Sequence, residues 1–138
     1  MIEFFSETDF SLDNPEAFSK WINTVLKSDG YNEGDITYVF CDDDYLHKIN
    51  LEYLNHDTLT DIISFDYSVG KQIHGEIYIS IDRVKENALE FNEPFDDELK
   101  RVVIHGILHF MGYKDKTPVE EQIMRNKENE AIAAFHSS

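Results

Sequence analysis

The segment from residue 94 to residue 112 constrains the fold of this chain more than any other. It reads as one long apolar helix from Pro94 to Met111, which Gly112 ends. His105 and His109 stand four residues apart in it, and residues at that spacing project from the same helix face with Cβ atoms roughly 6 Å apart. Both imidazoles could therefore reach one metal ion at about 2.0–2.1 Å.

A third ligand has to come from beyond that helix. Gly112 allows the chain to turn back, and Asp115 follows ten residues after His105. The spacing matches the ligand pattern of metzincin zinc peptidases. We predict that His105, His109 and Asp115 hold one Zn²⁺ with a fourth position for water, as in catalytic zinc sites. Asp115 could instead cap the final helix, because it lies just before Thr117.

The same pattern fails at one informative position. Zinc peptidases of this kind carry a glutamate directly after the first histidine, where it acts as the general base. Gly106 occupies that position here and has no side chain to move a proton. The sequence therefore predicts a hydrolytic metal site without the peptidase base.

The rest of the chain alternates between strands and helices. Runs rich in β-branched and aromatic residues predict four strands, at 2–6, 35–41, 61–67 and 75–80. The last two are separated by a short turn around Gly70, which predicts an antiparallel pair.

Apolar residues at helical spacing predict the remaining helices. One opens at Pro15 with Asn14 as its N-cap and ends before Gly30; others cover 42–54, 81–91 and 117–135, the last opening with a capping box of Thr117 and Glu120. This pattern predicts an α/β fold in which residues 1–138 form a single domain. One small mixed four-stranded sheet packs with about five helices, and the helix carrying both histidines is of the zinc-hydrolase type.

Composition limits the classes of function. The net charge of −16 disfavours a polyanionic partner, so any contact with nucleic acid must depend on a local site. No apolar run approaches the ~20 residues of a membrane span. Cys41 is the single cysteine, and the first residues lack the features of a secretory signal. We therefore expect a cytoplasmic protein with no membrane partner.

Several segments resemble the YbeY family of bacterial endoribonucleases. The family hallmark is His-Gly-x-Leu-His-x-x-Gly-Tyr-Asp-His, and this chain has His105-Gly106-Ile107-Leu108-His109 followed by Gly112-Tyr113. Further likenesses are Ile49-Asn50, the run Thr60-Asp61-Ile62-Ile63-Ser64-Phe65 and the strand Gly75-Glu76-Ile77-Tyr78-Ile79-Ser80. They follow the family's order and cover roughly residues 35–130.

The resemblance implies a single-strand-specific, metal-dependent endoribonuclease. Its substrate would be single-stranded ribosomal RNA rather than DNA, and its role small-subunit ribosomal RNA maturation and ribosome quality control, with the small ribosomal subunit as partner. Two alternatives stay open from the residues alone: a ribosome-assembly factor whose zinc is mainly structural, and a zinc hydrolase of a substrate other than RNA.

Two positions depart from the family. Its closing Asp-His is Lys114-Asp115 here, so an aspartate replaces the third histidine. An aspartate oxygen is a legitimate zinc ligand, and it predicts a site less selective for zinc over other divalent ions. The alternative is a shifted register with only the two histidines on the metal. Leu54 stands where the family commonly has an arginine.

Candidates for other roles are few. Asp61 could orient a ligating imidazole or accept a hydrogen bond at a strand end, and Ser64 could line the cleft or face solvent. Lys114 and Lys116 flank Asp115 and are candidates for phosphate contact, although they could equally be ordinary solvated residues. Four more basic candidates lie elsewhere: Arg83, Lys85, Lys100 and Arg101.

Overall fold

The structure is a computed structural model that describes residues 1–54 and 60–137. Four strands and five helices alternate along the described chain. The strands are β1 (Ile2–Ser6), β2 (Asn32–Cys41), β3 (Ile62–Asp66) and β4 (Gln72–Ser80). The helices are α1 (Pro15–Ser28), α2 (Asp43–Leu54), α3 (Ile81–Glu90), α4 (Phe95–Phe110) and α5 (Pro118–Ser137).

The strands form one mixed sheet in the order β1-β2-β4-β3. β1 pairs parallel with β2, and β2 pairs parallel with β4. β3 pairs antiparallel with β4, as the short turn around Gly70 predicted. The predicted α/β class and the mixed four-stranded sheet with five helices are therefore confirmed. That residues 1–138 form a single domain stays a prediction.

The two faces of the sheet are covered by different helices. On one face α4 buries Val103, Ile104, Ile107 and Leu108 against β-strand residues such as Ile77. On the other face α2 encloses a smaller cluster of Cys41, Leu46, Ile49 and Ile63. Since side chains alternate along a strand, β2, β3 and β4 contribute to both layers.

α4 packs closely on the sheet at Gly106. A Cβ atom at this position would lie 2.9 Å from Ile77 Cδ1 and 3.2 Å from Ile62 Cδ1. The position after the first histidine therefore faces the core. A side chain at this position would point toward these two isoleucine side chains.

Some predicted boundaries and caps differ from the structure. β2 and β4 each begin three residues before the predicted start. Asn32 of β2 pairs with Gln72 of β4, on the far side of a shift in strand register between Glu33 and Ile36. Asn14 is the N-cap residue of α1, as predicted, but its backbone is left-handed (φ 59°) and its side chain makes no cap bond. Its carbonyl accepts from the Ala17 amide instead.

The capping box at the last helix is confirmed. The Glu120 amide donates to Thr117 Oγ1 at 3.1 Å, and the Thr117 amide donates to Glu120 Oε1 at 3.0 Å. Of the helices within residues 1–54 and 60–137, none is long and apolar enough to cross a membrane.

A substitution in β4 tests the packing of α4 on the sheet. A Cβ at Gly75 would lie 2.6 Å from the Phe65 backbone oxygen and 2.6 Å from the Phe110 ring. We expect Gly75→Ala to lower the free energy of unfolding by about 3 kcal/mol in urea titrations. Gly70→Ala is the control, since its Cβ meets open space and only the positive φ of 59° is strained, at a cost of about 1 kcal/mol. Equal losses in the two variants would contradict this packing.

Candidate metal centre

The three side chains that were predicted from the sequence to be metal ligands lie close together at the C-terminal end of α4. His105 Nε2 and His109 Nε2 lie 3.0 Å apart. Asp115 Oδ2 lies 3.2 Å from each of these two nitrogens. The histidine rings meet edge to face with centroids 4.6 Å apart, so their Nε2 atoms point toward a common point rather than apart. The three residues form a group that could hold a metal ion.

The donor set fits a divalent ion such as zinc. Four ligands placed tetrahedrally at about 2.0–2.1 Å from zinc stand roughly 3.3 Å from one another, close to the separations seen here. Two imidazole nitrogens and one carboxylate oxygen leave a further position for solvent or substrate. That a metal binds there, and that it is zinc, stays a prediction.

Asp115 reaches the histidines because the chain reverses after α4. Gly112 takes φ 97°, and the Tyr113 amide donates back to the Leu108 carbonyl at 3.0 Å. The Tyr113 hydroxyl donates to Asp29 Oδ2 at 2.7 Å, which fastens the turn to the end of α1. Asp115 does not cap α5, because Thr117 takes that role.

Glu128 belongs to the site, although the sequence did not reveal it. Its Oε2 lies 2.7 Å from His105 Nδ1, and its Oε1 accepts from Arg101 Nη1 at 3.0 Å. Arg101 also donates to Asn129 Oδ1 at 3.0 Å. A buried carboxylate on the far nitrogen of a ligating imidazole fixes the ring and its tautomer, leaving Nε2 for the metal.

One feature of the sequence, which was not used in the prediction, marks Glu128 as unusual. Met124, Glu128, Ala131 and Ile132 form the buried stripe of α5, and Glu128 is the charged member of an otherwise apolar set. A carboxylate on a buried helix face requires a partner inside the protein. Its partners stand 23 and 27 residues earlier, on another helix, which no local spacing shows.

The surrounding charges favour the protonated form of His105 when no ion is bound. Burial pulls the pKa of His105 down. The hydrogen bond to Glu128 and the negative charges of Glu128, Asp115 and Asp61 outweigh this, so the pKa is raised above its ordinary value. A centre with this much negative charge around its donors is suited to a cation.

The two further candidates, Asp61 just before β3 and Ser64 within it, have different environments. Asp61, nominated to orient a ligating imidazole, accepts from Asn87 Nδ2 at 3.3 Å, and Glu128 occupies the Nδ1 side of His105 instead. Burial raises the pKa of Asp61. Ser64 shares a sheet face with Ile62, which borders Gly106, so it lies on the α4 side rather than on the α2 side.

Three of the six basic candidates are engaged within the protein. The Lys100 ammonium lies 4.6 Å from the centroid of the Phe135 ring, and the residue is buried. Arg101 is paired with Glu128, and Arg83 Nε contacts Asp43 Oδ1 at 3.0 Å. These three are therefore poor candidates for phosphate contact, whereas Lys85, Lys114 and Lys116 are exposed.

A depression of about 500 Å³ opens beside the three converging residues. His105 and Asp115 lie on its wall together with residues of α5. Arg125 is the arginine among these lining residues, and its side chain is exposed. No carboxylate of the described residues lies within ion-pair distance of it. Arg125 was not predicted from the sequence, because nothing in its spacing ties it to the histidines.

Taken together, the mixed sheet, the histidine-bearing helix and the converging carboxylate define a small α/β protein with a candidate metal centre. A family model described as Endoribonuclease YbeY matches residues 3–136. The chain belongs to the YbeY family.

Relatives and one solved structure agree with this assignment. The Endoribonuclease YbeY of Flavobacterium johnsoniae is 61% identical over 136 residues, covering 99% of this chain and 98% of the relative. That of Christiangramia forsetii is 59% identical over 135 residues, covering 98% and 94%. The solution structure of TM1509 from Thermotoga maritima matches with a TM-score of 0.68 and 26% identity, covering 99% of this chain and 93% of that one.

The contact between Glu128 and His105 can be tested by metal binding. Glu128→Gln keeps the shape of the side chain but removes the charge that holds the His105 ring, so we expect zinc affinity to fall by about 10–100-fold. The measurement is competition with a chromophoric chelator. Glu121→Gln, an exposed residue of the same depression, is the matched control and should keep its affinity. Equal affinities in the two variants would mean that Glu128 does not support the ligand.

Proposed function

We propose that this protein is a cytoplasmic, metal-dependent endoribonuclease that cleaves single-stranded ribosomal RNA. Its role is small-subunit ribosomal RNA maturation and ribosome quality control, with the small ribosomal subunit as partner. One zinc ion is held by His105, His109 and Asp115. The observation that carries the proposal is the convergence of these three donor atoms within 3.0–3.2 Å in a chain of a family described as endoribonucleases.

Each part of the site has a distinct task in this proposal. A bound divalent ion supplies Lewis-acid chemistry, which polarises phosphoryl oxygens and makes water more acidic. Glu128 holds the His105 ring so that Nε2 stays directed at the centre. Lys114 and Lys116 flank Asp115 on the exposed turn, and they are suited to contact RNA phosphates. Asp61 and Ser64 remain candidates for roles near the scissile bond.

The depression beside the centre offers a path for the RNA backbone. Arg125 projects from α5 into the same depression as His105 and Asp115. Its guanidinium can bind a phosphate through two parallel hydrogen bonds. This local cation matters because the whole chain carries −16, which repels RNA at long range. We therefore expect modest RNA affinity with strong dependence on salt.

Substitution of Asp115 tests the centre and the activity together. We expect Asp115→Ala to lower zinc affinity at least about tenfold and to abolish cleavage of a labelled single-stranded ribosomal RNA fragment. Asp115→His should keep both, because histidine supplies an equivalent zinc donor. His109→Ala protein purified identically, and wild type with chelator, control for contaminating nuclease.

The outcomes separate the alternatives. Full zinc affinity in Asp115→Ala would exclude this carboxylate as a ligand. Zinc that raises the melting temperature of the wild type without any RNA cleavage would favour an assembly factor with a structural ion. Metal-dependent turnover of small esters or peptides, but not of RNA, would favour a hydrolase of another substrate.

The phosphate contact of Arg125 is tested by salt dependence. We expect Arg125→Ala to weaken binding of a 2′-O-methylated single-stranded RNA several-fold at low salt. The slope of log affinity against log salt should fall in magnitude by about 0.7, the value for one contact to a single strand. Lys20→Ala, an exposed cation on α1, removes the same charge and should leave the slope unchanged. A slope that is equal in both variants contradicts the contact.

A further inference from the structure

One lysine of α4 is buried without a counter-ion. Lys100 is only 8% exposed, and its ammonium lies 4.6 Å from the centroid of the Phe135 ring. Among residues 1–54 and 60–137, no carboxylate lies within ion-pair distance of this ammonium and no acceptor forms a hydrogen bond with it. Lysine is almost never buried to this extent unless it is paired, because a charge loses its hydration inside a protein. Contact with one aromatic ring offsets only part of that loss.

Lys100 lies on the wall of a pocket of about 200 Å³. The pocket is enclosed by the segment from Phe10 to Asn14, the first turns of α1 and α4, and the end of α5. We call it the Lys100 pocket. Its apolar lining consists of Phe10, Leu12, Phe18, Phe95, Leu99 and Phe135. The pocket therefore combines an aromatic interior with one buried cation.

The aromatic walls are held in place by their neighbours. The ring centroids of Phe10 and Phe95 lie 6.0 Å apart, and those of Phe18 and Phe135 lie 5.2 Å apart. All four of these side chains also belong to the main hydrophobic core or pack against it. Side chains that are already ordered lose little conformational entropy when a ligand binds. The pocket is therefore formed before a ligand arrives.

Two helices begin beside the pocket. Their N-cap residues, Asn14 for α1 and Pro94 for α4, make no side-chain bond to the amides of the first turn. The positive ends of these helix dipoles favour an anion nearby, in the same sense as the Lys100 ammonium.

The carboxylates of the lining weaken this preference without cancelling it. Asp13 and Asp96 also line the pocket, and both are exposed. Water and salt screen such exposed charges, whereas a buried ammonium is screened much less. An anion that reaches Lys100 therefore still gains a contact that water cannot replace, although its affinity is modest.

The size of the pocket limits the ligand to one ring. An apolar cavity of roughly 150 Å³ accommodates a benzene molecule. A volume of about 200 Å³ thus leaves room for one ring and a small charged group. Drug-sized ligands occupy pockets of about 300–1,000 Å³, which excludes them here.

We propose that the Lys100 pocket binds a small monocarboxylate with an aromatic body. The ring of the ligand packs among the phenylalanines, and the ammonium donates charge-assisted hydrogen bonds to the carboxylate. Lys100 and His105 stand about 140° apart around the axis of α4. The pocket shares no lining residue with the depression beside the metal centre. The proposal goes beyond RNA cleavage and does not depend on it.

The experiment compares ligands of equal shape and different charge. The ¹⁵N-labelled full chain is titrated with benzoate, benzyl alcohol, benzylammonium and inorganic phosphate, and amide chemical shifts are followed by NMR. We expect benzoate to bind with a Kd on the order of 1 mM, as suits so small a ligand. It should bind at least about tenfold more tightly than benzyl alcohol, because only benzoate offers a charged acceptor to the ammonium. Benzylammonium and phosphate should not bind.

Variants then locate the binding. Lys100→Met keeps the apolar stem but removes the ammonium, a change that buried sites commonly tolerate. Benzoate affinity should fall about tenfold, to that of benzyl alcohol, while the unchanged affinity for benzyl alcohol shows that the pocket is intact. Lys20→Met, an exposed lysine on α1, is the matched control and should change neither affinity. Leu12→Trp places a larger side chain in the pocket and should abolish the shifts caused by both ligands.

Several outcomes would overturn the proposal. They are equal affinities of the wild type for benzoate and benzyl alcohol, undiminished benzoate binding in Lys100→Met or Leu12→Trp, and no binding at tens of millimolar. Competition by inorganic phosphate, or by a 12-nucleotide single-stranded RNA, would also contradict it. Absence of RNA cleavage in the wild type would count against the proposed function alone, since the titration does not use that activity.

Discussion

The close contact of α4 with the sheet at Gly106 is the constraint on which the metal centre depends. One helix has to be apolar enough to bury Val103, Ile104 and Ile107, and polar enough on its other side to present two imidazoles. A glycine at the contact lets the helix axis approach Ile77 without a Cβ in the way. His105 directly precedes Gly106 in α4. The packed core that holds the α4 backbone in place therefore also fixes the position of the His105 side chain.

The second requirement is that the chain returns to this helix twice. The first return is the reversal at Gly112, fastened by Tyr113, which brings Asp115 back over the histidines. The second is α5, whose buried stripe delivers Glu128 to the far side of the His105 ring. Both returns are held by packing and hydrogen bonds away from the donor atoms. These contacts fix where the three donors stand relative to one another.

The sequence predicted those parts that depend on local rules. The two histidines, the glycine stop and the Thr117 capping box follow from helical spacing and backbone preferences, and so does the α/β alternation. Glu128, Arg101 and Arg125 depend on how α5 packs on α4, which is tertiary information. Asn14 shows a local rule holding in part, since it is the N-cap residue of α1 but its side chain makes no cap bond. Asp61 was a reasonable choice by type, yet Glu128 reaches the ring and Asp61 bonds Asn87.

The two faces of the sheet differ in the charged residues that they carry. In the proposed centre, an aspartate in place of the third histidine makes the metal-bound site one unit less positive, which weakens its hold on a phosphodiester. Cations close to the centre must then offset this, and Lys114, Lys116 and Arg125 surround Asp115 and its depression. On the opposite face the carboxylates of Glu52 and Glu76 stand among tyrosines. At physiological salt the screening length is about 8 Å, so each surface is governed by its own neighbours rather than by the net charge of −16. A strongly acidic chain can therefore act on a polyanion where cations stand beside the site of contact.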